Sequence, residues 1–300
     1  MTATGVDVET PDSHGFEIKK RRQWVWIAAG LVVVVVAVVA GRLLFFGDTK
    51  SANEIPGATL VVATNEGNAA EQALIEYISR EVAPKHGIKV AFRGLSDSNT
   101  INRAVSDGEV AGTIYQHKLW LGQVLEANPD FREEAATPVF RWGFGIWSDK
   151  YTDVSQLPDG ANVSLYSDPA NEAQGLWLLE RAGLITLNPT VDKWTATRKD
   201  IVGNPKNLKF TLLDFAAQSR SLPDLDAAVG YTEYYLAAKI PLDKQIFAPP
   251  APDEFAGQLT IGSKWADTDN IKKLVETFKD PAVQQFLATD PSVKGILLPL

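Results

Sequence analysis

The 300-residue chain contains no cysteine, which removes disulfide scaffolds, cysteine-ligated zinc, thiol nucleophiles and lipid attachment through a thiol in one step. Only three histidines are present, and no second histidine or carboxylate cluster has metal-ligand spacing, so neither a metal nor any other cofactor is implied. Excess positive charge is also missing: the formal net charge is −8, which offers no bulk field for a nucleic-acid backbone. No G-x-S-x-G elbow, H-E-x-x-H, Walker A loop or G-x-G-x-x-G occurs, which lowers an enzyme reading. What is present, 45% hydrophobic and 22% charged residues, is enough for one or two folded domains.

The one long apolar run, 23–41, would span about 28 Å as a helix, close to the thickness of a bilayer core. Lys19, Lys20, Arg21 and Arg22 precede it directly, and Trp24 and Trp26 sit at its edge. Residues 1–22 therefore read as a cytoplasmic tail, 23–46 as a single-pass transmembrane signal anchor and 47–57 as a polar linker, with the remainder extracytoplasmic. A cleaved signal peptide competes. The run exceeds the usual h-region and has no clean small-x-small site, so the uncleaved anchor is favoured.

From Ala58 onward, short β-branched runs alternate with amphipathic stretches, the pattern of an α/β architecture. Strands are expected over 59–63, 87–92, 110–114, 139–147, 162–166, 208–213 and 227–230. Helices are expected over 69–82, 99–106, 117–127, 168–182, 232–238, 267–278 and 281–288. Two lobes with a cleft between them fit this length, because doubly wound sheets bind ligands outside their strand carboxyl ends.

Three strand-to-helix junctions carry small or polar residues: 64–68, 167–171 and 230–233. Their convergence would suit a small anion such as a carboxylate, against the alternative of ordinary capping. Tyr115, Trp120, Trp142, Phe144, Trp147 and Trp177 form an aromatic group suited either to a pocket wall or to the core. His117, at a strand end, reads as a cap or core histidine before a ligand contact.

Ser96-Asp97, Asn102, Gly108, the Tyr-Gln-His-Lys run at 115–118 and Trp120-Leu121 together resemble a stretch of the methionine-binding lipoprotein (NlpA) family of ABC-importer substrate-binding proteins. The likeness continues through Ser-Asp-Pro-Ala-Asn at 167–171, Asn-Pro-Lys-Asn-Leu at 204–208 and Asp-Ala-Ala-Val at 226–229, and covers residues 58–300. It implies a two-lobe periplasmic-binding-protein fold of the second type, with 58–140 and 246–300 in lobe 1 and 141–245 in lobe 2. It also implies a small amino-acid-like ligand between the lobes, a partner permease and its ATPase, and no catalysis. Tyr115, His117 and Asn171 take pocket-wall positions by this resemblance; Phe144 and Trp147 belong to the wall or hinge, and Asn68 to the first junction.

Two positions depart from the family pattern. Gln174 stands where the resemblance implies an arginine that clamps the ligand carboxylate, and Tyr231 where it implies an asparagine. Loss of a charge-assisted bidentate bond removes about 1.5–3 kcal/mol. Arg141 is the candidate replacement cation and Glu233 the candidate partner for an amino group, and a ligand other than free methionine is expected. An interaction or sensor protein with an altered cleft is the second reading. An enzyme on the same fold, using His117 with Glu233 or Asp168, is the third.

Overall fold

The computed structural model describes residues 50–300; the expected tail and transmembrane anchor lie outside the described residues. Among the described residues no helix is long and apolar enough to cross a membrane. In chain order the elements begin β1 (Thr59–Asn65), α1 (Ala69–Tyr77), β2 (Lys89–Leu95), α2 (Ser98–Ser106), β3 (Gly112–His117), α3 (Lys118–Ala127), β4 (Glu133–Trp142) and β5 (Phe144–Trp147). They continue with β6 (Asn162–Tyr166), α4 (Pro169–Arg181), β7 (Thr186–Leu187), β8 (Ile201–Gly203), β9 (Lys209–Leu213), α5 (Phe215–Arg220), β10 (Ala227–Tyr231) and α6 (Thr232–Ala237). The last are β11 (Gln245–Phe247), β12 (Ala256–Gly262), α7 (Asp269–Phe278), α8 (Pro281–Thr289) and β13 (Leu297–Leu298).

Two mixed sheets organise the chain. The first has six strands in the order β13-β4-β12-β3-β1-β2, the second five in the order β11-β5-β10-β6-β9. In the first, β2, β1 and β3 run parallel. In the second, β9, β6 and β10 do. Each parallel set is followed by helices, and each sheet is completed by strands paired antiparallel: β12, β4 and β13 in the first, β5 and β11 in the second. The carboxyl ends of the parallel strands, where such sheets bind ligands, carry the polar junctions.

The stretch 139–147, expected as one strand, is two. It breaks at Gly143, leaving β4 in the first sheet and β5 in the second. Gly143 donates its N–H to Ile296 O at 2.7 Å and accepts at its carbonyl from Thr232 N–H at 2.8 Å, so its backbone serves both sheets' neighbourhoods. Arg141 and Trp142, assigned to the second lobe from sequence, consequently pair in the first sheet through β12 and β13. Ile246 and Phe247, assigned to the first lobe, pair with β5 in the second sheet. The return crossing thus falls between β11 and β12. The linker also ends earlier than expected: Asn270 on α7 donates to the carbonyls of Ala52 and Ile55, both at 2.9 Å, and Asn53 is buried.

Two local tests follow from this packing. A Cβ on Gly143 would lie 2.1 Å from Gly295 O and 2.7 Å from Thr232 Oγ1, and backbone cannot yield as a flexible side chain does. Gly143→Ala is expected to cost about 1–3 kcal/mol, read as a lowered denaturation midpoint; an unchanged midpoint would contradict this account of the crossover. Glu133, at the start of β4, is buried with no hydrogen-bond partner for either carboxylate oxygen among the described residues, and burial pushes its carboxyl up to about 8. The folded state therefore holds this proton more tightly than the unfolded chain, and stability attributable to Glu133 falls as pH rises from about 4.5 to 8. Glu133→Gln is expected to stabilise by about 1–3 kcal/mol at pH 8 and to leave stability unchanged at pH 4, checked by urea denaturation at both.

Candidate functional site

Between the sheets lies a cavity of about 180 Å³ built almost wholly from residues at strand carboxyl ends. Asn65 ends β1, with Asn68 and Glu71 after it; Tyr115, Gln116, His117 and Trp120 end β3 or open α3; Asn171 follows β6 and Phe215 β9; Tyr231 ends β10, with Glu233 and Tyr234 after it. Ser98 and Trp142 complete the lining. Across it Asn68 Nδ2, after β1 of the first sheet, donates at 2.9 Å to Oε2 of Glu233, after β10 of the second.

The capping chemistry of each junction explains why these side chains point inward. Asn68 caps α1 by accepting from Glu71 N–H at 3.1 Å. Asp168 caps α4 by accepting from both the backbone N–H and the side-chain amide of Asn171, each at 2.9 Å. His117 caps α3: Nδ1 accepts from Trp120 N–H at 3.2 Å, so the ring proton is on Nε2, which faces Asn171 Oδ1 at 3.4 Å. Burial lowers the His117 imidazole to about 4, leaving it neutral at physiological pH. Its packing is edge-on against Phe255 at 5.2 Å and Trp142 at 6.4 Å.

Tyr231 occupies the middle of the floor. Its hydroxyl lies 2.5 Å from Asn171 Oδ1 and 2.7 Å from Gln174 Oε1, one proton shared between two acceptors, and its ring meets Trp142 at 5.9 Å and Phe144 at 4.9 Å. Burial keeps this phenol well above its ordinary range, as it does for Tyr234, and holds that of Tyr115 at about 12. Two carboxylates complete the electrostatics. Glu71 accepts from the Thr64 hydroxyl and from Trp142 Nε1 at 3.2 Å. Burial, and then the charge of Glu233, push its carboxyl well up. Burial likewise pushes Glu233 up to about 7, with the Asn68 amide opposing it. Asp168 is raised by burial and lowered in part by the Asn171 N–H groups.

Of the ten residues singled out from sequence, six line this cavity: Asn68, Tyr115, His117, Asn171, Tyr231 and Glu233. Four do not. Gln174 sits behind Tyr231, buried and engaged by its hydroxyl. Arg141 turns to Asp253 and to Pro299 O at 3.1 Å, so the register of β4 against β12 and β13 carries it away from the position of a replacement cation. Phe144 is a layer deeper than Tyr231, and Trp147 stacks on Tyr235 at 4.1 Å in a separate part of the core. Within the aromatic group, Trp120 and Trp142 line the cavity while Trp177 packs against the core.

Sequence reasoning missed Glu71, Ser98, Phe215 and Tyr234. Glu71 carried a usable signal, because Asn68-x-x-Glu71 has capping-box spacing. The three junctions do converge, as Asn68, Asn171 and Glu233 show, but as an anion seat they are already supplied: α1 and α6 carry Glu71 and Glu233 in their own first turns.

The floor gives a direct test. Tyr231→Phe keeps the ring but leaves Asn171 Oδ1 and Gln174 Oε1 without the hydroxyl, and is expected to destabilise by about 1–3 kcal/mol in urea denaturation. An unaltered midpoint would mean that the hydroxyl does not hold the floor together.

Residues 60–299 match the NlpA lipoprotein family. The chain is 29% identical over 267 residues to "Methionine-binding lipoprotein MetQ" of Bacillus subtilis, an alignment covering 88% of this chain and 95% of the relative. In structure it resembles an ABC-transporter periplasmic substrate-binding protein from Coxiella burnetii, with a TM-score of 0.69 and 31% identity over 80% of this chain and all of that one. It also resembles a methionine-binding lipoprotein from Bacillus subtilis, with a TM-score of 0.71 and 28% identity over 81% of this chain and 98% of that one. The chain therefore belongs to the NlpA lipoprotein family, a group of substrate-binding proteins of ABC transporters and not of enzymes.

Proposed function

We propose that this chain is the extracytoplasmic ligand-binding component of an ABC importer and that it closes two lobes on a small amino-acid-like ligand, methionine or a related amino acid or peptide. The observation that carries the reading is the cavity itself. It lies at the carboxyl ends of parallel strands from two sheets, is bridged by Asn68 and Glu233, and the chain crosses between the sheets only at Gly143 and between β11 and β12 among the described residues. Two crossings of this kind permit hinge opening and closing around a ligand. The methionine-binding relatives support an amino-acid-like ligand, and Gln174 and Tyr231 favour a relative of methionine over the free amino acid.

The segment 23–46 takes the place of the lipid anchor in this proposal, since a chain without cysteine offers no thiol for one. A tether keeps the binding lobes at high local concentration beside the permease and its ATPase.

A ligand that binds only the folded state raises stability by RT ln(1 + [L]/Kd), about 2.7 kcal/mol at a hundredfold excess over Kd. Thermal denaturation of the full-length chain against amino acids, their derivatives and short peptides is expected to show such a shift for at least one; failure of every compound would contradict a binding role. Deletion of 23–46 is expected to move the protein from the membrane fraction to the soluble fraction, and retention at the membrane would contradict the helical anchor.

A further inference from the structure

A cavity selects its ligand first by charge. This one has two carboxylates in its wall, Glu71 and Glu233, and among the described residues lining it none is arginine or lysine. Arg141 is engaged with Asp253 and Pro299, and Arg198 with Glu172 at 2.8 Å. A ligand carboxylate placed here would lie beside two carboxyls with no cationic side chain in the lining, whereas an ammonium would favour the charged forms of both.

The rest of the wall is suited to the opposite sign. Tyr115, Trp120, Trp142, Phe215, Tyr231 and Tyr234 line the same cavity as the two glutamates, and the faces of aromatic rings attract ammonium groups. Glu71 is fixed by Thr64 and Trp142, and Glu233 by Asn68 from the opposite lobe, so both carboxylates are already oriented before any ligand arrives. The Tyr234 hydroxyl, also in the lining, is a neutral donor for the other end of a ligand. At about 180 Å³ the space is smaller than the roughly 300–1,000 Å³ of drug-sized sites and limits the ligand to a compact molecule.

We infer that this cavity takes a compact organic cation without a free carboxylate, a primary amine or a carboxyl-blocked amino-acid derivative, with its ammonium seated beside Glu71 and Glu233 among the aromatic rings. The inference rests on the reading of the cavity as the ligand site of a binding protein and names the ligand class for it. Closure then has a local cause: an ammonium that contacts Glu71 from one lobe and Glu233 from the other adds to the Asn68–Glu233 bridge, and is lost when the lobes part.

Calorimetric titration of the full-length chain with four probes tests it: methionine, methioninamide, 3-(methylthio)propylamine and N-acetylmethionine. These share the thioether side chain and differ in charge. The amide and the amine are expected to bind roughly tenfold or more tightly than methionine, and N-acetylmethionine not at all. Glu233→Gln, nearly isosteric and still able to accept from Asn68, is expected to weaken the amine roughly tenfold or more while its melting temperature shows the fold retained. Methionine binding as tightly as its amide, or an amine affinity unmoved by Glu233→Gln, overturns the cation assignment and leaves the binding-protein reading standing. No binding by these probes, together with no stabilisation by any amino acid, amide or amine, overturns both.

Discussion

Glu71, buried, and Glu233, half-buried, line one cavity with no arginine or lysine in the lining among the described residues, and this unpaired acidity governs what the site can do. Carboxylates cost free energy to bury, and each is kept only by the donors built around it: Thr64 and Trp142 for Glu71, Asn68 for Glu233. The consequence is a pair whose carboxyls sit well above the ordinary range and whose charged form is favoured by a cation. Tyr231 reinforces the same arrangement. Its hydroxyl donates to the side-chain oxygens of Asn171 and Gln174, so at that point the wall holds a neutral phenol and not a cation.

The fold makes this constellation without help from long-range charge. Parallel strands deliver their carboxyl ends to one seam from two sheets, and helix capping then fixes which side chains face it. Asn68, His117 and Asp168 each satisfy a helix N-terminus with a side-chain acceptor, and in doing so place Glu71, Trp120 and Asn171 at defined positions on the wall. The capping role of His117 and its role in the wall are thus one geometry. Gly143 lets the chain leave the first sheet and enter the second within a single residue, which is why Trp142 reaches the cavity while Phe144 lies a layer behind.

Alternation of apolar runs and amphipathic stretches made most of the parallel strands and their following helices legible, because each carries one periodicity at a time. β12 was not legible. All seven of its residues are buried, so it shows no two-residue alternation, and its Gly257, Gln258, Thr260 and Gly262 imitate a loop. The break at Gly143 was hidden for a related reason: residues on both sides are buried and apolar, and nothing local distinguishes one strand from two in different sheets. In the site, residues at strand ends were readable from junction chemistry and from the resemblance, whereas the direction of a side chain on a fully buried strand was not. Trp147 and Arg141 misled for that reason, since composition marks them as ligand-binding types but strand register turns one into the core and the other to the surface.

The most direct measurement is proton exchange on binding, from calorimetry of the full-length chain with 3-(methylthio)propylamine at pH 7 in buffers of differing ionisation enthalpy. Around the cavity the phenols of Tyr115, Tyr231 and Tyr234 and the neutral His117 keep their protonation states near pH 7, and for Asp168 the upward push of burial is opposed by the N–H groups of Asn171. Glu71 and Glu233 are the groups poised to change. A cation favours their charged forms, so the account predicts net proton release as the amine binds, and tighter binding at pH 8 than at pH 6. Proton uptake, or affinity that rises as pH falls, would contradict it.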